Sequence, residues 1–415
     1  MANVSSSNGL EKYPKLRFLD SNGQEFSGWT RTVLGTIIVP FTEKVFGDHN
    51  YEVLTSSRNG IQRQSEHFAG KQRHDTDGYN IIPRGYCTYR NRSDDGLFTF
   101  NMNNIVDEGI VSKFYPVFTF QNANSTFMME YLNGSPRVRA KLSVLAVGTS
   151  QVVLSFETLK ETSFYLPTFE EQNRIAALLS TLNERIEKQR LLIEHLKKYK
   201  RGVSEQLFEQ IKPKSNPYLF SSVFVLLQNN TFSRDLLTND ETAIQNIHYG
   251  DVLIKFGSCV NIDTDEMPYI KSSASVEKFE SDSYLVSGDI VIADTAEDYT
   301  VGKATEIINP YNKKILSGLH TIPCRPLMEF APMFMGYYLN SSAFRDQIMP
   351  LIQGTKVSSI GKTQLMKTMV FIPPIEEQKR IADLLHSIDT KINLLSATVE
   401  KMKQLKAAML QQLFI

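Results

Sequence analysis

The most constraining feature of this sequence is a long internal repeat. The segment LPTFEEQNRIAALLSTLNERIEKQRLLIEHLKKYKRGVSEQLF begins at Leu166 and aligns without a gap with IPPIEEQKRIADLLHSIDTKINLLSATVEKMKQLKAAMLQQLF, which begins at Ile372. About 16 of the 43 aligned positions are identical, where about three would be expected by chance. The chain is therefore a tandem duplication with a very long period, and we expect two structurally equivalent parts.

Each copy of the repeat predicts one long helix. Thr168 followed by Glu171 has the pattern of a capping box, and Pro374 stands where a first-turn proline is tolerated. The paired glutamates of each copy favour the positive end of the helix dipole. We interpret these pairs as helix-start electrostatics rather than as catalytic acids and bases, because no other catalytic group lies near them in sequence.

Apolar residues recur at alternating spacings of four and three along both helices. A period of 3.5 over about five heptads favours coiled-coil pairing, and the simplest partner of each helix is the other. Lysine recurs at one stripe position, as Lys200 and Lys406, and either sets the register or extends its charge to water near a helix end. A helix of roughly 38 residues would be about 57 Å long, which is typical of a spacer. The predicted pairing and docking residues are Ile175, Leu179, Leu182, Ile186, Ile193, Leu196, Ile381, Leu385, Ile388, Ile392, Val399 and Met402.

The repeat also divides the chain into domains. Residues 1–165 and 212–371 contain short runs of Val, Ile, Thr, Tyr and Phe separated by Gly, Asn and Asp, which predict two compact α+β domains with mostly antiparallel sheets. Residues 166–211 and 372–415 form the two spacer helices. The predicted fold class is therefore α+β, with two domains separated and followed by helices that pair as an antiparallel coiled coil, in a pseudo-twofold internal repeat.

Composition excludes several classes of protein. Ordinary hydrophobic and charged fractions, 41% and 22%, exclude disordered and fibrous chains. The polar start and the lack of a stretch of roughly 18 apolar residues exclude a signal peptide and a membrane span, and so predict a cytoplasmic protein. Cys87, Cys259 and Cys324 are too far apart for a zinc or disulfide framework. Basic and acidic residues number 45 each, so nucleic-acid binding would require charges grouped in patches.

The stretch GTKVSSIGKT, from Gly354 to Thr363, is similar to a phosphate-binding loop but has the wrong spacing. A phosphate-binding loop has four residues between its first glycine and the Gly-Lys-Thr, whereas six stand here. The sister copy GTSQVVLSFETLKET has Ser155-Phe156-Glu157 at the place of the Gly-Lys-Thr. An ATP-hydrolysing enzyme that uses Lys362 is therefore the weaker interpretation.

A variable domain followed by Leu-Pro-x-x-Glu-Glu-Gln-x-x-Ile and a long helix, and then the same order again, resembles the specificity subunit of type I restriction-modification systems. Segments inside the domains are also similar to recurrent segments of that family, including YEVLTSSRNGIQRQSEHF from Tyr51, EGIVSKFYPVF from Glu108 and SGDIVIADTAEDYTVGKA from Ser287. The resemblance covers essentially the whole chain.

This resemblance implies a non-catalytic reader of bipartite double-stranded DNA, in which each domain reads one half-site. The paired helices would set the spacing and dock two adenine-N6 methyltransferase subunits, and motor-nuclease subunits would complete the restriction enzyme. S-adenosylmethionine, ATP and Mg²⁺ would bind to those partners, and no cofactor or metal is expected in this chain. The Asn-Pro-Pro-aromatic motif of amino-methyltransferases is incomplete here, since Asn216-Pro217-Tyr218 and Asn309-Pro310-Tyr311 each lack the second proline.

Residues that contact DNA are expected among polar and basic side chains of the two domains. Base reading uses Arg, Lys, Gln, Asn and Ser, and phosphate contacts use Lys and Arg. The alternative for each candidate is a solvated surface charge. The candidates are Ser57, Arg58, Asn59, Gln62, Arg63, Arg90 and Arg92 with the intervening Asn91, and Lys255, Lys271, Lys303, His320 and Lys356.

A structural adaptor with two peptide- or protein-binding domains on a coiled-coil spacer is the alternative function. Salt separates the two interpretations, because DNA binding weakens steeply as counterion release is suppressed.

Overall fold

The computed structural model describes residues 14–67, 75–309, 311, 313–354 and 357–414. The chain divides into two compact units, the first made of Met1–Arg190 with Ala397–Ile415 and the second of Leu191–Ser396. Each unit contains a sheet-rich region and a part of both long helices, so the α+β class predicted from the sequence is confirmed. Among the helices of the described residues, none is long and apolar enough to cross a membrane.

In its described residues, the first unit contains short strands, five helices and the end of the last long helix of the chain, and the fifth helix continues into the second unit. The strands are β1 Thr30–Val33, β2 Ile38–Phe41, β3 Glu52–Ser57, β4 Gly60–Arg63, β5 Asn80–Pro83, β6 Cys87–Tyr89, β7 Arg92–Ser93, β8 Phe100–Met102, β9 Glu108–Val111, β10 Val117–Phe120, β11 Val152–Val153 and β12 Ser163–Leu166. The helices are α1 Gln64–His67, α2 Ser125–Gly134, α3 Pro136–Leu145, α4 Phe156–Glu161 and α5 Phe169–Ile211.

The second unit repeats this arrangement of short strands and helices, and its last helix ends in the first unit. The strands are β13 Asn216–Leu219, β14 Phe224–Leu226, β15 Leu237–Thr238, β16 Gln245–Ile247, β17 Cys259–Asn261, β18 Tyr269–Ile270, β19 Ile290–Ala293, β20 Thr295–Ala296, β21 Ala304–Ile308, β22 Ile315–Ser317, β23 Thr321–Pro326, β24 Ser358–Ser359 and β25 Met369–Ile372. The helices are α6 Phe220–Val223, α7 Phe334–Leu339, α8 Ser342–Ile348, α9 Lys362–Leu365 and α10 Ile375–Leu413.

The central sheets of the two units have the same strand order. In the first unit the order is β2-β10-β6-β8, and in the second it is β14-β23-β19-β21 with β17 added at the edge. All neighbours within the shared four-strand order are antiparallel, as predicted, while β17 pairs with β21 in parallel. The two-stranded ribbons also match, because β7 pairs with β11 in the first unit and β20 pairs with β24 in the second.

The long helices pair in antiparallel orientation. In the first unit, Ile175 and Leu179 near the start of α5 lie in the same apolar cluster as Phe414, which directly follows α10. In the second unit, Ile381 near the start of α10 lies in the same cluster as Phe208 near the end of α5. The predicted pairing stripe is buried or half-buried at every position, while most of the residues between its members are exposed. At 43 and 39 residues, the helices slightly exceed the predicted length.

The glutamine of the Glu-Glu-Gln motif explains why this part of the repeat recurs. Gln172 is buried, accepts a hydrogen bond from the Asn124 backbone N–H at 2.9 Å and donates to the Pro167 carbonyl at 3.0 Å. Gln378 makes the same two bonds in the second unit, with the Ala331 N–H and the Pro373 carbonyl. Each glutamine therefore joins the start of a long helix to the start of the helical segment of its domain.

The helix start also shows how the predicted capping box is used. The Thr168 hydroxyl accepts a hydrogen bond from the Glu171 backbone N–H at 3.3 Å, as expected for a cap. The Glu171 carboxylate is fully buried and binds Arg17 through two N–H groups, at 2.8 and 3.1 Å. Within the described residues, Glu171 thus forms a buried ion pair with Arg17, which agrees with a structural rather than a catalytic role.

The glycine at the head of the loop-like stretch has a structural explanation. Gly354 has a φ of +108°, and an added Cβ would lie 2.0 Å from the Val357 carbonyl oxygen. Its sister Gly148 has a φ of +145° and a corresponding approach of 2.2 Å to the Gln151 oxygen. Isolated bridges join Gln353 to Ser359 and, in the first unit, Val147 to Val153. Gly361 belongs to a separate element, because it is the residue that precedes the first turn of α9.

Candidate nucleic-acid interface

A cleft of about 340 Å³ in the first unit gathers several of the predicted DNA-contacting residues. Its wall is formed by the end of β3, by the segment that follows β6 and by the segment before β10. These elements place basic and small polar side chains together at one end of the central sheet. The polar residues that line the cleft include Ser57, Arg58, Arg90, Arg92, Asp94 and Tyr115.

Arg58 is held at the tip of a tight hairpin. Ser57 and Gly60 pair across the β3–β4 turn, which leaves Arg58 and Asn59 as its two central residues. The guanidinium of Arg58 is exposed and lies 2.6 Å from the carboxylate of Asp95. Hydrogen bonds from Ser93 and Arg58 lower the pKa of Asp95 to about 2, so this carboxylate stays ionised at neutral pH. The ion pair orients Arg58 but leaves most of its surface open to a ligand.

The other predicted residues of this hairpin contact each other or nearby acids. The Ser57 hydroxyl lies 3.0 Å from the Gly60 carbonyl and 3.1 Å from the Gln62 side-chain oxygen. Arg63 lies outside the lining of the cleft and binds Glu52 at 2.7 Å. The hairpin therefore presents Arg58 and Asn59 at its tip, while Arg63 stabilises its base.

The segment after β6 supplies two further arginines. Arg90 and Arg92 are both exposed, and the Arg92 guanidinium lies 5.3 Å from the centre of the Phe114 ring. The ammonium group of Lys113 lies 5.8 Å from the same ring. Between the arginines, the Asn91 carbonyl accepts a hydrogen bond from the Leu154 N–H at 2.9 Å, which ties the segment to β11. The two arginines thus project from a backbone that is fixed on both sides.

The second unit presents a different surface at the equivalent place. Thr295 pairs with Ser359 as Arg92 pairs with Val153, so a threonine occupies the position of Arg92. The His320 ring lies 3.5 Å from the Asp294 carboxylate and 3.4 Å from the Thr295 hydroxyl. His320 has a φ of +54° and precedes β23, as Phe114 precedes β10. The predicted candidate His320 therefore lies in the loop that matches the arginine cleft.

The remaining candidates of the second unit are scattered. Lys255 lines another cleft, of about 550 Å³, which also contains Asp263, Asp265 and Glu266. The exposed Lys271 binds the Asp235 carbonyl at 2.7 Å. Lys356 lies outside the described residues. Four candidates of the first set therefore line one cleft, whereas the cleft of the second unit contains Lys255 but none of Lys271, Lys303 and His320.

Lys303 is engaged inside its own unit. Its ammonium group donates to the carbonyls of Leu253 and Phe256, each at 2.9 Å. Burial is the main reason that the pKa of Lys303 is lowered. These bonds hold the irregular turn at Asp251–Lys255, so a role of Lys303 with DNA stays a prediction.

Metal and thiol chemistry find no support in the described part of the chain. Within it, no group of three or more His, Cys, Asp or Glu side chains could hold a metal ion. Cys87 and Cys324 are buried and Cys259 is half-buried. Burial raises the pKa of Cys87 to about 12 and raises the pKa of the other two thiols as well. All three thiols therefore stay protonated at neutral pH.

One shared motif inside the domains was missed by sequence reasoning. Phe127-Met128-x-x-Tyr131-Leu132-Asn133 on α2 matches Phe334-Met335-x-x-Tyr338-Leu339-Asn340 on α7. Asn133 exchanges two hydrogen bonds with the backbone of Phe100, and Asn340 does the same with Ala304. The signal was present in the sequence, but its offset differs by one residue from that of the long repeat.

Each unit combines a central sheet of the same strand order, parts of both long helices and polar loops at the same end of that sheet, which defines a duplicated α+β scaffold. The family described as type I restriction modification DNA specificity domain matches residues 47–195 and 244–404. The chain belongs to this family, and it is a specificity subunit of a type I restriction-modification system. Membership gives it a role in the DNA sequence specificity of such a system.

Two solved structures share the fold over nearly the whole chain. The type I restriction-modification S subunit from M. genitalium is 13% identical, with a TM-score of 0.59, and the match covers 97% of this chain and 99% of that one. A chain from the structure described as "Structural basis underlying complex assembly and conformational transition of the type I R-M system" is 17% identical, with a TM-score of 0.53, and the match covers 94% and 98% of the two chains. At these identities the likeness establishes the fold alone.

Proposed function

We propose that this specificity subunit reads a bipartite DNA sequence, with one half-site read by each unit. The observation that supports this most is the equivalence of the loops beside β7 and β20, which stand on the same scaffold but carry different side chains. A reader of two different half-sites requires that combination, because base-edge patterns differ while the approach of the scaffold to the duplex does not.

In the first unit, the arginine cleft would make the main contacts with DNA. Arg58 is held in place by Asp95 and has an exposed guanidinium, which suits bidentate recognition of a guanine edge. Arg90 and Arg92 would bind phosphates or base edges beside it. In the second unit, His320 and Thr295 stand at the matching place and no arginine occupies the position of Arg92, so we expect that half-site to depend less on charge.

The long helices would carry the partner subunits. The pairing residues Ile175 and Leu179 are buried inside the first unit, so docking would use exposed side chains of the same helices. Among the exposed large apolar and aromatic residues of the two helices, two pairs are repeat equivalents, Phe169 with Ile375 and Tyr199 with Leu405. Their repetition suits two copies of one adenine-N6 methyltransferase subunit, with motor-nuclease subunits added for restriction. S-adenosylmethionine, ATP and Mg²⁺ would bind to those partners, and this chain would be non-catalytic.

The direct test is to co-express this chain with its methyltransferase partner and to map N6-methyladenine across the host DNA at single-base resolution. We expect modification at one split motif, lost when this chain is removed. The R58A/R90A double variant should relax or abolish one half of the motif and leave the other half unchanged. R84A is the matched control, because Arg84 is an exposed arginine of the same unit outside the cleft.

Two outcomes would contradict the proposal. A motif unchanged in both halves in R58A/R90A, with the complex intact, would show that the cleft does not read a half-site. No methylation by a verified complex, together with DNA binding that is insensitive to salt, would favour the adaptor function instead.

The spacer role has its own test. Seven residues are inserted after Leu192 and after its repeat equivalent Thr398, so that both antiparallel helices are lengthened by the same amount. Each insertion lengthens its helix by about 10 Å, which corresponds to at most about three base pairs at 3.4 Å each. A wider spacer in the methylated motif is expected, and an unchanged spacer in an active complex would show that the helices do not set it.

A further inference from the structure

In each unit, one lysine joins three elements at a single point. In the second unit these are Lys200 of α5, Asp389 of α10 and Tyr337 of α7. In the first unit they are Lys406 of α10, Asn183 of α5 and Glu130 of α2. We call these two groups the lysine junctions, because each joins both long helices to the helix of one domain.

The junction of the second unit has its carboxylate on a long helix. The Lys200 ammonium lies 2.6 Å from a carboxylate oxygen of Asp389, and the Tyr337 hydroxyl donates to the same oxygen at 2.8 Å. The ammonium also lies 5.1 Å from the centre of the Tyr337 ring. The lysine and aspartate side chains are 24% and 27% exposed, so the pair is largely removed from water.

The junction of the first unit has its carboxylate on the domain instead. The Lys406 ammonium lies 3.0 Å from a carboxylate oxygen of Glu130, and the Asn183 amide donates to the same oxygen at 2.7 Å. The lysine and glutamate side chains are 23% and 16% exposed. The geometry matches that of the second unit, with one carboxylate oxygen shared by the lysine and a neutral donor.

The three positions are equivalent between the units. Lys200 and Asn183 align with Lys406 and Asp389 in the long repeat. Glu130 aligns with Tyr337 in the shared Phe-Met-x-x-Tyr-Leu-Asn motif. The aromatic partners confirm this alignment, because Phe414 packs on Tyr131 at 5.2 Å between ring centres and Phe208 packs on Tyr338 at 5.7 Å.

The position of the carboxylate therefore differs between the two junctions, whereas the position of the lysine is the same. The first unit carries it on the domain and a neutral amide on the long helix, and the second unit carries it on the long helix and a neutral hydroxyl on the domain. A partly buried lysine without a carboxylate would be left uncompensated, and two carboxylates beside one lysine would repel each other. Each junction thus tolerates one carboxylate, from either of two positions.

We propose that the lysine junction sets a matching rule, which determines which domain fits which long helix. A domain with an acid at the position of Glu130 fits a helix with Asn at the position of Asn183. A domain with Tyr at the first position fits a helix with Asp at the second. A domain exchanged between the two positions of this chain would therefore require a compensating change on the helix. The inference rests on the proposed function only in treating these domains as the DNA-reading parts, since the rule itself concerns their fit to the helices.

Moving the carboxylate within the first junction tests this rule with side chains of nearly unchanged shape. E130Q removes the only carboxylate of the junction, N183D adds a second one, and the E130Q/N183D double variant moves it from the domain to the helix as in the second unit. Thermal unfolding of the full chain is measured for all four forms. We expect each single variant to lower the Tm of the first unit by about 5 °C and the double variant to recover most of that loss.

The control is E400Q, which breaks the exposed Lys403–Glu400 pair and should leave the Tm unchanged. Losses in E130Q and N183D that simply add in the double variant would overturn the rule, as would single variants with no effect. The methylation map of the double variant separates this inference from the proposed function. A recovered Tm with no split motif would retain the matching rule and count against DNA reading.

Discussion

The two units are alike where elements are joined and unlike where loops are exposed. Gln172 and Gln378 make the same two bonds, and Asn133 and Asn340 make the same backbone exchange. At the end of the sheet, however, Arg92 in the first unit is replaced by Thr295 in the second. Loss of a joining residue leaves buried polar groups without partners, whereas a change in an exposed loop costs little. The comparison indicates a scaffold that stays constant while its recognition loops diverge.

The largest effect is expected from removing the aromatic side chain near the end of each long helix. Phe208 and Phe414 are both buried and pack on equivalent tyrosines. F208A and F414A should each cost about 3–5 kcal/mol, through lost burial and a cavity, in the unit that contains the residue. Calorimetric unfolding of the full chain measures this, with the exposed F46A as control. A cost below about 1 kcal/mol in only one unit would show that the two phenylalanines do not have equivalent roles.

A smaller loss is expected at the paired glutamines. Q172L and Q378L would each leave a buried N–H and a buried carbonyl without a partner, which should cost about 2–3 kcal/mol. Urea unfolding measures the change, and Q206L with Q412L are matched controls because both glutamines are exposed repeat equivalents. Equal losses in the controls would mean that the leucine itself, rather than the missing bonds, destabilises the helix.

The divergence of the loops is tested by making the first unit resemble the second. R92T should weaken binding of the target DNA by the methyltransferase complex about tenfold and lower the salt slope by about 0.9, if Arg92 contacts one phosphate. Fluorescence anisotropy at several salt concentrations measures both quantities. Weaker binding with an unchanged slope would indicate a base contact instead, and unchanged binding would remove Arg92 from the interface.

The smallest effect is expected from Glu306, a carboxylate of the second unit whose structural equivalent in the first unit is not acidic. Glu306 corresponds to Met102, since Ala304 and Phe100 make the same bonds with the paired asparagines. Burial raises the pKa of Glu306 to about 7, although N–H groups such as that of Gly336, at 2.9 Å, favour its charged form. The folded state therefore holds the proton more tightly than the unfolded state, so the stability linked to this proton is present at low pH and is lost as the pH rises through about 7.

E306Q should remove this dependence. The Tm of the second unit in the unsubstituted chain should fall between about pH 5 and pH 8 relative to that of E306Q. Parallel curves for the two proteins over this range would show that Glu306 titrates normally in the folded state.

The long repeat could be found from the sequence because the features that define it are local. Helix starts, heptad spacing and the Glu-Glu-Gln motif all recur within one continuous segment, and the structure confirms the helices, their pairing and the α+β class. The cleft was predicted in part, since Ser57, Arg58, Arg90 and Arg92 do lie together. The sequence could not show which lysines of the second unit are exposed and which bind carbonyls of their own unit, because both properties depend on distant segments.

By itself, the sequence determined the duplication, the two helices and the lysines that recur on them, because helical periodicity is a local property of the chain. It left open whether Lys200 and Lys406 reach water or fix the pairing, and only the tertiary structure placed them against Asp389 and Glu130. The structure also decided that Thr295 takes the place of Arg92. These outcomes depend on which distant side chains meet, and a single carboxylate that can come from either of two elements leaves no fixed pattern in the sequence.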